Sequence, residues 1–227
     1  MTSSSPTSEG PWSIYAFEPI DSRTYVLVEE TEALVVDPMA HPGMLEALTS
    51  RGVSRATVLL THEHYDHCGG VNWLREQLSI QVIASEACAE NLQRPTINGS
   101  RYFEALFALH DQAVRDQVRA LGVEPYTTTA DTTFSGSIDF DWCGHRISIT
   151  EAPGHTPGSV LIDIDERWLF TGDSWIPGKP TITRLPGGSP ARFAAVTRPQ
   201  LDALLGVRTV LPGHHDPTHA PAPTAAR

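Results

Sequence analysis

Residues 61–67 read Thr61-His62-Glu63-His64-Tyr65-Asp66-His67, directly after an apolar run, Ala56 to Leu60, with the character of a β-strand. Three of the chain's ten histidines fall within these few positions, beside an aspartate. Neutral imidazole and carboxylate are the donors that zinc, iron and manganese accept, and a tight loop at a strand end can turn alternate side chains into one pocket. The segment therefore points to a metal site, and a solvated polar loop explains its composition poorly.

Two later segments end the same way. Ile147 to Glu151 runs into Ala152-Pro153-Gly154-His155-Thr156-Pro157-Gly158, and Val207 to Leu211 runs into Pro212-Gly213-His214. Between them, Trp168 to Phe170 leads to Thr171-Gly172-Asp173-Ser174, which sets a carboxylate at another strand end. The order HxHxDH, a later His, a later Asp and a last His, spread over residues 15–217, resembles the metallo-β-lactamase superfamily. The resemblance implies an α/β fold of the αββα sandwich type. It implies that His62, His64 and His155 bind one metal, that Asp66, His67 and His214 bind a second, and that Asp173 bridges the two. It also sets Asp37, in Val35-Val36-Asp37-Pro38, as a brace that orients a ligand without binding metal. The implied cofactors are two divalent ions, zinc first, with iron or manganese as alternatives. Two such cations lower the pKa of bound water from about 15.7 towards roughly 7, so a bridging hydroxide attacks and no Ser or Cys nucleophile is required. Asp66 then serves as ligand and as handler of the released proton. Cys68, next to His67, is read as packing.

Within the superfamily the retained Asp173 speaks against a true β-lactamase, and Gly-His-Thr-Pro-Gly is similar to the glyoxalase-II-like hydrolases. Two departures from that branch are Ser159, where histidine is frequent, and His215-Asp216 after the last ligand, where small residues are common. The chain also stops about a dozen residues after His214, without the basic helical extension of that branch. The expected reaction is cleavage of a small, anionic thioester, ester, lactone or amide. The alternative is an iron-dependent oxygenase, or a redox enzyme resembling persulfide dioxygenases, on the same ligand set.

Composition sets the frame. A chain of 227 residues with 40% apolar content can bury one sizeable core, which predicts a single domain over residues 12–217 with disordered tails at 1–11 and 218–227. A net charge of -11 opposes binding to nucleic acid, since phosphate backbones are held by clustered Lys and Arg. Cys68, Cys88 and Cys143 are too few and too scattered for a disulfide framework. No apolar leader or membrane-length run is present, so a cytoplasmic protein acting on a small molecule, away from membranes, is expected; the oligomeric state stays open. The only lysine, Lys179, lies with Arg184 and Arg192 in the Pro- and Gly-rich stretch Trp175 to Arg192 that follows Asp173. Positive charge there would attract an anionic substrate. His215, beside a ligand, is a further candidate for substrate contact.

Strands are expected near 13–17, 24–29, 33–36, 56–60, 81–84, 138–142, 147–151, 160–164, 168–171 and 208–211. Helices are expected near 43–50, from 70, and over 191–205. Apolar positions three or four apart from Arg101 to Leu121, closed by Gly122, predict one amphipathic helix that could roof the site and turn His110 towards substrate.

Overall fold

The computed structural model describes residues 5–219. Among the described residues twelve strands form two sheets: β1 (Thr7–Glu9), β2 (Trp12–Phe17), β3 (Ser22–Glu29), β4 (Glu32–Val36), β5 (Arg55–Leu59), β6 (Ser79–Ser85) and β7 (Thr132–Phe134) in one, β8 (Ser137–Trp142), β9 (His145–Glu151), β10 (Val160–Ile164), β11 (Trp168–Gly172) and β12 (Thr209–Pro212) in the other. The first runs in chain order and the second in the order β12-β11-β10-β9-β8. Helices α1 (Pro42–Ser50), α2 (Tyr65–Cys68), α3 (Val71–Gln77) and α4 (Glu86–Leu92) serve the first half, with α5 (Phe103–Leu106) and α6 (Gln112–Ala120) between β6 and β7 in sequence. Near the end, α7 (Pro190–Arg192) continues through a π-helical turn, Phe193–Thr197, into α8 (Arg198–Leu204).

The period-2 alternation of the strands builds three apolar layers. Tyr25, Leu27, Leu34 and Val36 point inward and meet Ile162, Ile164, Trp168, Phe170 and Leu211 of the second sheet. Their sequence neighbours Val26, Ala33 and Val35 point outward onto Met44 and Leu48 of α1 and Leu74 of α3. On the opposite outer face, Leu161, Leu169 and Val210 receive Phe193, Leu201 and Leu205. Two sheets face to face with helices on both outer surfaces make the expected αββα sandwich.

The strand directions then place the site. β4 and β5 are parallel, and so are β11 and β12. β9 is two antiparallel steps from β11 and shares its direction. Their carboxyl ends therefore emerge along one edge of the sandwich. Here the sheets are sewn together, with Val160 N–H donating to the Thr61 carbonyl at 2.8 Å and Arg23 N–H to the Gly213 carbonyl at 2.8 Å.

Three expectations need correction. The stretch Arg101 to Leu121 is not one helix: a 3₁₀ turn (Ser100–Tyr102) leads into α5, the chain leaves helical geometry at Phe107, and α6 starts afresh. Asp111 accepts from Val114 N–H at 2.9 Å, a cap that competes with helix continuation. Leu109, fully exposed on the intervening turn, has nothing to pack against. The stretch 1–11 is not wholly a tail, since Thr7–Glu9 pairs antiparallel with Trp12–Ile14; backbone pairing across a hairpin needs no apolar signal in the sequence. Residues 1–4 and 220–227 lie outside the described residues, and within the stretch read as a C-terminal tail Thr218 bridges Val210. Strand β7 and helix α4 were not foreseen.

Candidate metal centre

Each side chain of the expected ligand set sits just past a strand end. After β5 the chain bends at Thr61 and again at Glu63 before His64, whose extended φ and ψ of -62° and 143° precede α2. His62 and His64 turn into one pocket with their ring centroids 4.8 Å apart, while α2 brings Asp66 and His67 round beside them. His155 follows β9, Asp173 follows β11, and His214 follows β12. Gly213 lets the segments close in, because a Cβ there would lie 2.5 Å from Asp173 Oδ1 and 2.7 Å from His67 Cε1.

Two groups of donors result. His62 Nε2 and His155 Nε2 approach His64 Nδ1 to 3.2 and 3.0 Å. Asp66, His67 and His214 form the second group, with Asp66 Oδ2 at 3.4 Å from His214 Nε2 and 3.6 Å from His67 Nε2. Asp173 stands between them. Its Oδ2 is 3.6 Å from His155 Nε2, and its Oδ1 is 3.4 and 3.5 Å from His67 Nε2 and His214 Nε2.

The outer partners of His155, His214, His67 and His62 fix which nitrogen of those rings carries a proton. His155 Nδ1–H donates to the Ile182 carbonyl at 2.7 Å and His214 Nδ1–H to the Ile20 carbonyl at 3.1 Å. Asp37 is 2% exposed and stands in the left-handed region at φ 53°. It accepts from Thr61 N–H at 2.8 Å, Thr61 Oγ1 at 2.6 Å and His67 Nδ1–H at 3.0 Å. With its own proton given to Asp37, Thr61 Oγ1 accepts from His62 Nδ1–H at 3.0 Å. Asp37 thus braces His67 directly and His62 through Thr61, leaving both Nε2 lone pairs free.

These residues fit cations. The Nε2 lone pairs of His62 and His155 both converge on His64 Nδ1, which can offer a proton to only one of them. His67 Nε2 and Asp173 Oδ1 are buried without a hydrogen-bond partner, a costly state for polar atoms unless a ligand satisfies them. Burial, reinforced by neighbouring imidazoles, pushes His62 well down and His64 down to about 3; burial likewise lowers His155. That triad is neutral, as a metal requires. In the other group burial works against charge but is outweighed. His67 and His214 hold Asp66 down at about 2. His214, His67 and His155 hold Asp173 well below the carboxylate range. The same carboxylates raise His67 and His214.

A cavity of ≈ 390 Å³ opens onto His155 and Asp173 and is lined by Ile176, Lys179, Pro180, Ile182 and Arg184 among others. Lys179 and Arg184 therefore reach the mouth of the centre. The remaining candidates do not line it. Arg192 lies in α7. His110 is exposed and meets the ring of Phe107 at 5.3 Å in a tilted contact. His215, half-exposed at φ 66°, faces Asp21, with Nδ1 3.5 Å from its carboxylate. Cys68 is buried in the outer core and bonds the Glu63 carbonyl at 3.3 Å. Sequence reading missed Thr61 as a relay and the carbonyls of Ile20 and Ile182, which carry no residue-type signal.

Residues 18–214 match the family described as the metallo-beta-lactamase superfamily. The chain is 25% identical over 205 residues to the probable metallo-hydrolase YqgX of Bacillus subtilis, covering 89% of each chain. It is 47% identical over 162 residues to a hydroxyacylglutathione hydrolase of Methylobacillus flagellatus, covering 71% of this chain and 49% of that one, so it spans about half the length of that relative. Among solved structures, the BLEG-1 B3 metallo-beta-lactamase superposes with a TM-score of 0.76 at 26% identity, over 91% of this chain and 93% of that chain.

Proposed function

We propose that this chain, which belongs to the metallo-beta-lactamase superfamily and is a metal-dependent hydrolase, cleaves a small acyl compound bearing a carboxylate, a thioester before an ester, lactone or amide. The observation that carries the substrate class is the pair of cations, Lys179 and Arg184, lining the cavity that ends on His155 and Asp173.

In this reading His62, His64 and His155 hold one divalent cation, Asp66, His67 and His214 the other, and Asp173 both. When bound, two such cations activate water and polarise the scissile carbonyl. The protein supplies the rest. Lys179 and Arg184 anchor the substrate carboxylate while Ile176, Pro180 and Ile182 cover its apolar body, so the acyl carbon is delivered to the Asp173 end of the cavity. Asp66, ionised at neutral pH, offers Oδ2 to the proton released as the water oxygen bonds to the acyl carbon. That proton leaves with the thiol as the carbon–sulfur bond breaks. Bond-making and bond-breaking thus need no residue nucleophile. The hydroxyacylglutathione hydrolase relative supports a thioester, and the zinc-first reading rests on the imidazole-rich donor set.

The test combines metal analysis of protein purified without chelator with a panel of thioesters, lactones and β-lactams, each offered with and without a carboxylate. Carboxylate-bearing thioesters should be the preferred substrates. Lys179→Ala and Arg184→Ala should each raise KM for them about tenfold, the equivalent of a ~1.4 kcal/mol contact, and flatten its salt dependence at unchanged metal content. Variants that keep the parent's ratio between charged and neutral substrates would refute the substrate class, and iron with oxygen consumption would refute hydrolysis as its chemistry.

A further inference from the structure

Glu63 lies between two expected ligands yet takes no part in the cluster. Its side chain points away from the donor cluster, towards α4 and the loop after His155, and has no solvent exposure. There Oε1 accepts from Asn91 Nδ2 on α4 at 2.9 Å, and Oε2 accepts from Thr156 Oγ1 at 2.8 Å. Thr156 is the residue after His155. Since its single proton goes to Glu63, the hydroxyl of Ser159, 2.8 Å away, is the donor to Thr156 Oγ1. The backbone of Gly158 closes on the same carboxylate, where a Cβ would come within 2.5 Å of Oε2.

Burying a carboxylate costs several kcal/mol unless its lone pairs are met. An apolar side chain would fill this space without that expense if packing were the only demand. What the carboxylate adds is direction, because its two oxygens fix a helix and a loop at once, and no Lys or Arg neutralises it among the described residues. The loop it holds is the one that carries His155. A second backbone-anchored tie between these segments is the bond from Val160 N–H to the Thr61 carbonyl, on the far side of His155 in sequence. Between them the two ties leave the His155 loop one position relative to His62 and His64.

We infer that Glu63 is a positioning residue that acts through Thr156 to set His155 against His62 and His64, and so fixes the geometry of one cation site and leaves the other untouched. The inference rests on the reading that those three histidines hold a cation. It extends that reading to a carboxylate inside the motif that does not touch the cation.

Cobalt(II) titration of the full-length apoprotein, followed by its visible absorption and by competition with a chelating dye, tests it. His155→Ala and His214→Ala serve as references for loss of one site or the other. Glu63→Ala should resemble His155→Ala in which site it weakens, by about 10- to 100-fold, while the second cobalt binds as in the parent. Thr156→Val should reproduce the effect, Thr156→Ser should restore parental binding, and the Glu63→Ala/Thr156→Val double variant should be no weaker than the worse single variant. A parent protein that takes up no cobalt refutes the metal reading and this role with it. A parent that binds two, with Glu63→Ala binding both as tightly or losing both equally, refutes the role of Glu63 alone. If Glu63→Ala does not fold, the Thr156 pair decides, and equal weakening by Val and Ser overturns the proposal.

Discussion

Asp37→Asn is the sharpest perturbation of the centre, because it changes one atom and leaves the backbone alone. Asn tolerates the left-handed conformation at φ 53° about as well as Asp, whereas Ala would add strain of its own. The carboxylate accepts three hydrogen bonds and donates none. In the amide one arm must become a donor. If that arm faces Thr61 N–H, two buried donors oppose each other, at a cost of about 1–3 kcal/mol. If it takes the place of Oδ2, it must donate to Thr61 Oγ1 and to His67 Nδ1. His67 is then forced into the other tautomer, with its proton on Nε2, the atom that faces Asp66 and Asp173. Thr61, turned to accept, brings its hydroxyl proton towards His62 Nδ1. Either outcome weakens the cation held by His67, and loss of an outer partner of this kind typically costs 10- to 100-fold in metal affinity. Elemental analysis after dialysis against a graded metal buffer reads that loss, and a melting curve of the metal-free protein reads the folding part, roughly 4–8 °C for about 2 kcal/mol in a domain of this size. Asp37→Asn protein that keeps both metals within threefold of parental affinity and melts unchanged would show that Asp37 does not set the tautomer.

Asp173→Ala should abolish activity and lower metal content below two per chain, since its two oxygens face the two donor groups separately; an active, fully loaded variant would contradict the bridging assignment. Phe170→Ala should destabilise the protein by about 3–5 kcal/mol, because Phe170 is completely buried with Trp12 and Tyr25 edge-on at 4.8 and 5.3 Å, and a chemical denaturation midpoint close to that of the parent would count against a shared inter-sheet core. His145 lies far from the centre at 2.6 Å from Asp165 and 3.4 Å from Glu29; burial lowers its pKa, but these carboxylates outweigh it and raise it above the ordinary 6.5. A raised folded value means that its contribution, a few tenths to about 1 kcal/mol, is complete below pH 6.5 and lost as pH rises through the folded value. His145→Gln should therefore cost stability at pH 5.5 and almost none at pH 8.5, and an equal loss at both would exclude the ion pairs as its source.

How far the sequence could be read depended on whether a feature was local. The strand before each glycine and ligand was legible because burial on one or two faces forces an apolar pattern, and the αββα arrangement came from the resemblance carried by residues 61–67 and the three later segments. Strand β1 escaped notice because Thr7-Ser8-Glu9 contributes only backbone. The helix read over 101–121 failed because a 3.6-residue period says which face is apolar but not whether the turns are continuous, and the side chain of Asp111 ends the argument by capping a new helix.

By itself the sequence determined which residue types are available to the centre and in what order: imidazoles and carboxylates, each just past an apolar run. Only the tertiary structure decided what each of them faces. Asp37 is distant from His67 in the chain, yet 3.0 Å away in space, because β4 and β5 are parallel neighbours whose ends emerge together. Glu63 carries the same carboxylate as Asp66 and lies three residues from it, but the bent segment between β5 and α2 turns it away from His62 and His64, to where it holds Thr156 and Asn91. His215 adjoins a ligand and turns instead to Asp21. Residue identity fixes the chemistry a side chain can do, while strand direction and backbone turn fix its partner, and partners separated by many residues leave no trace in a local pattern.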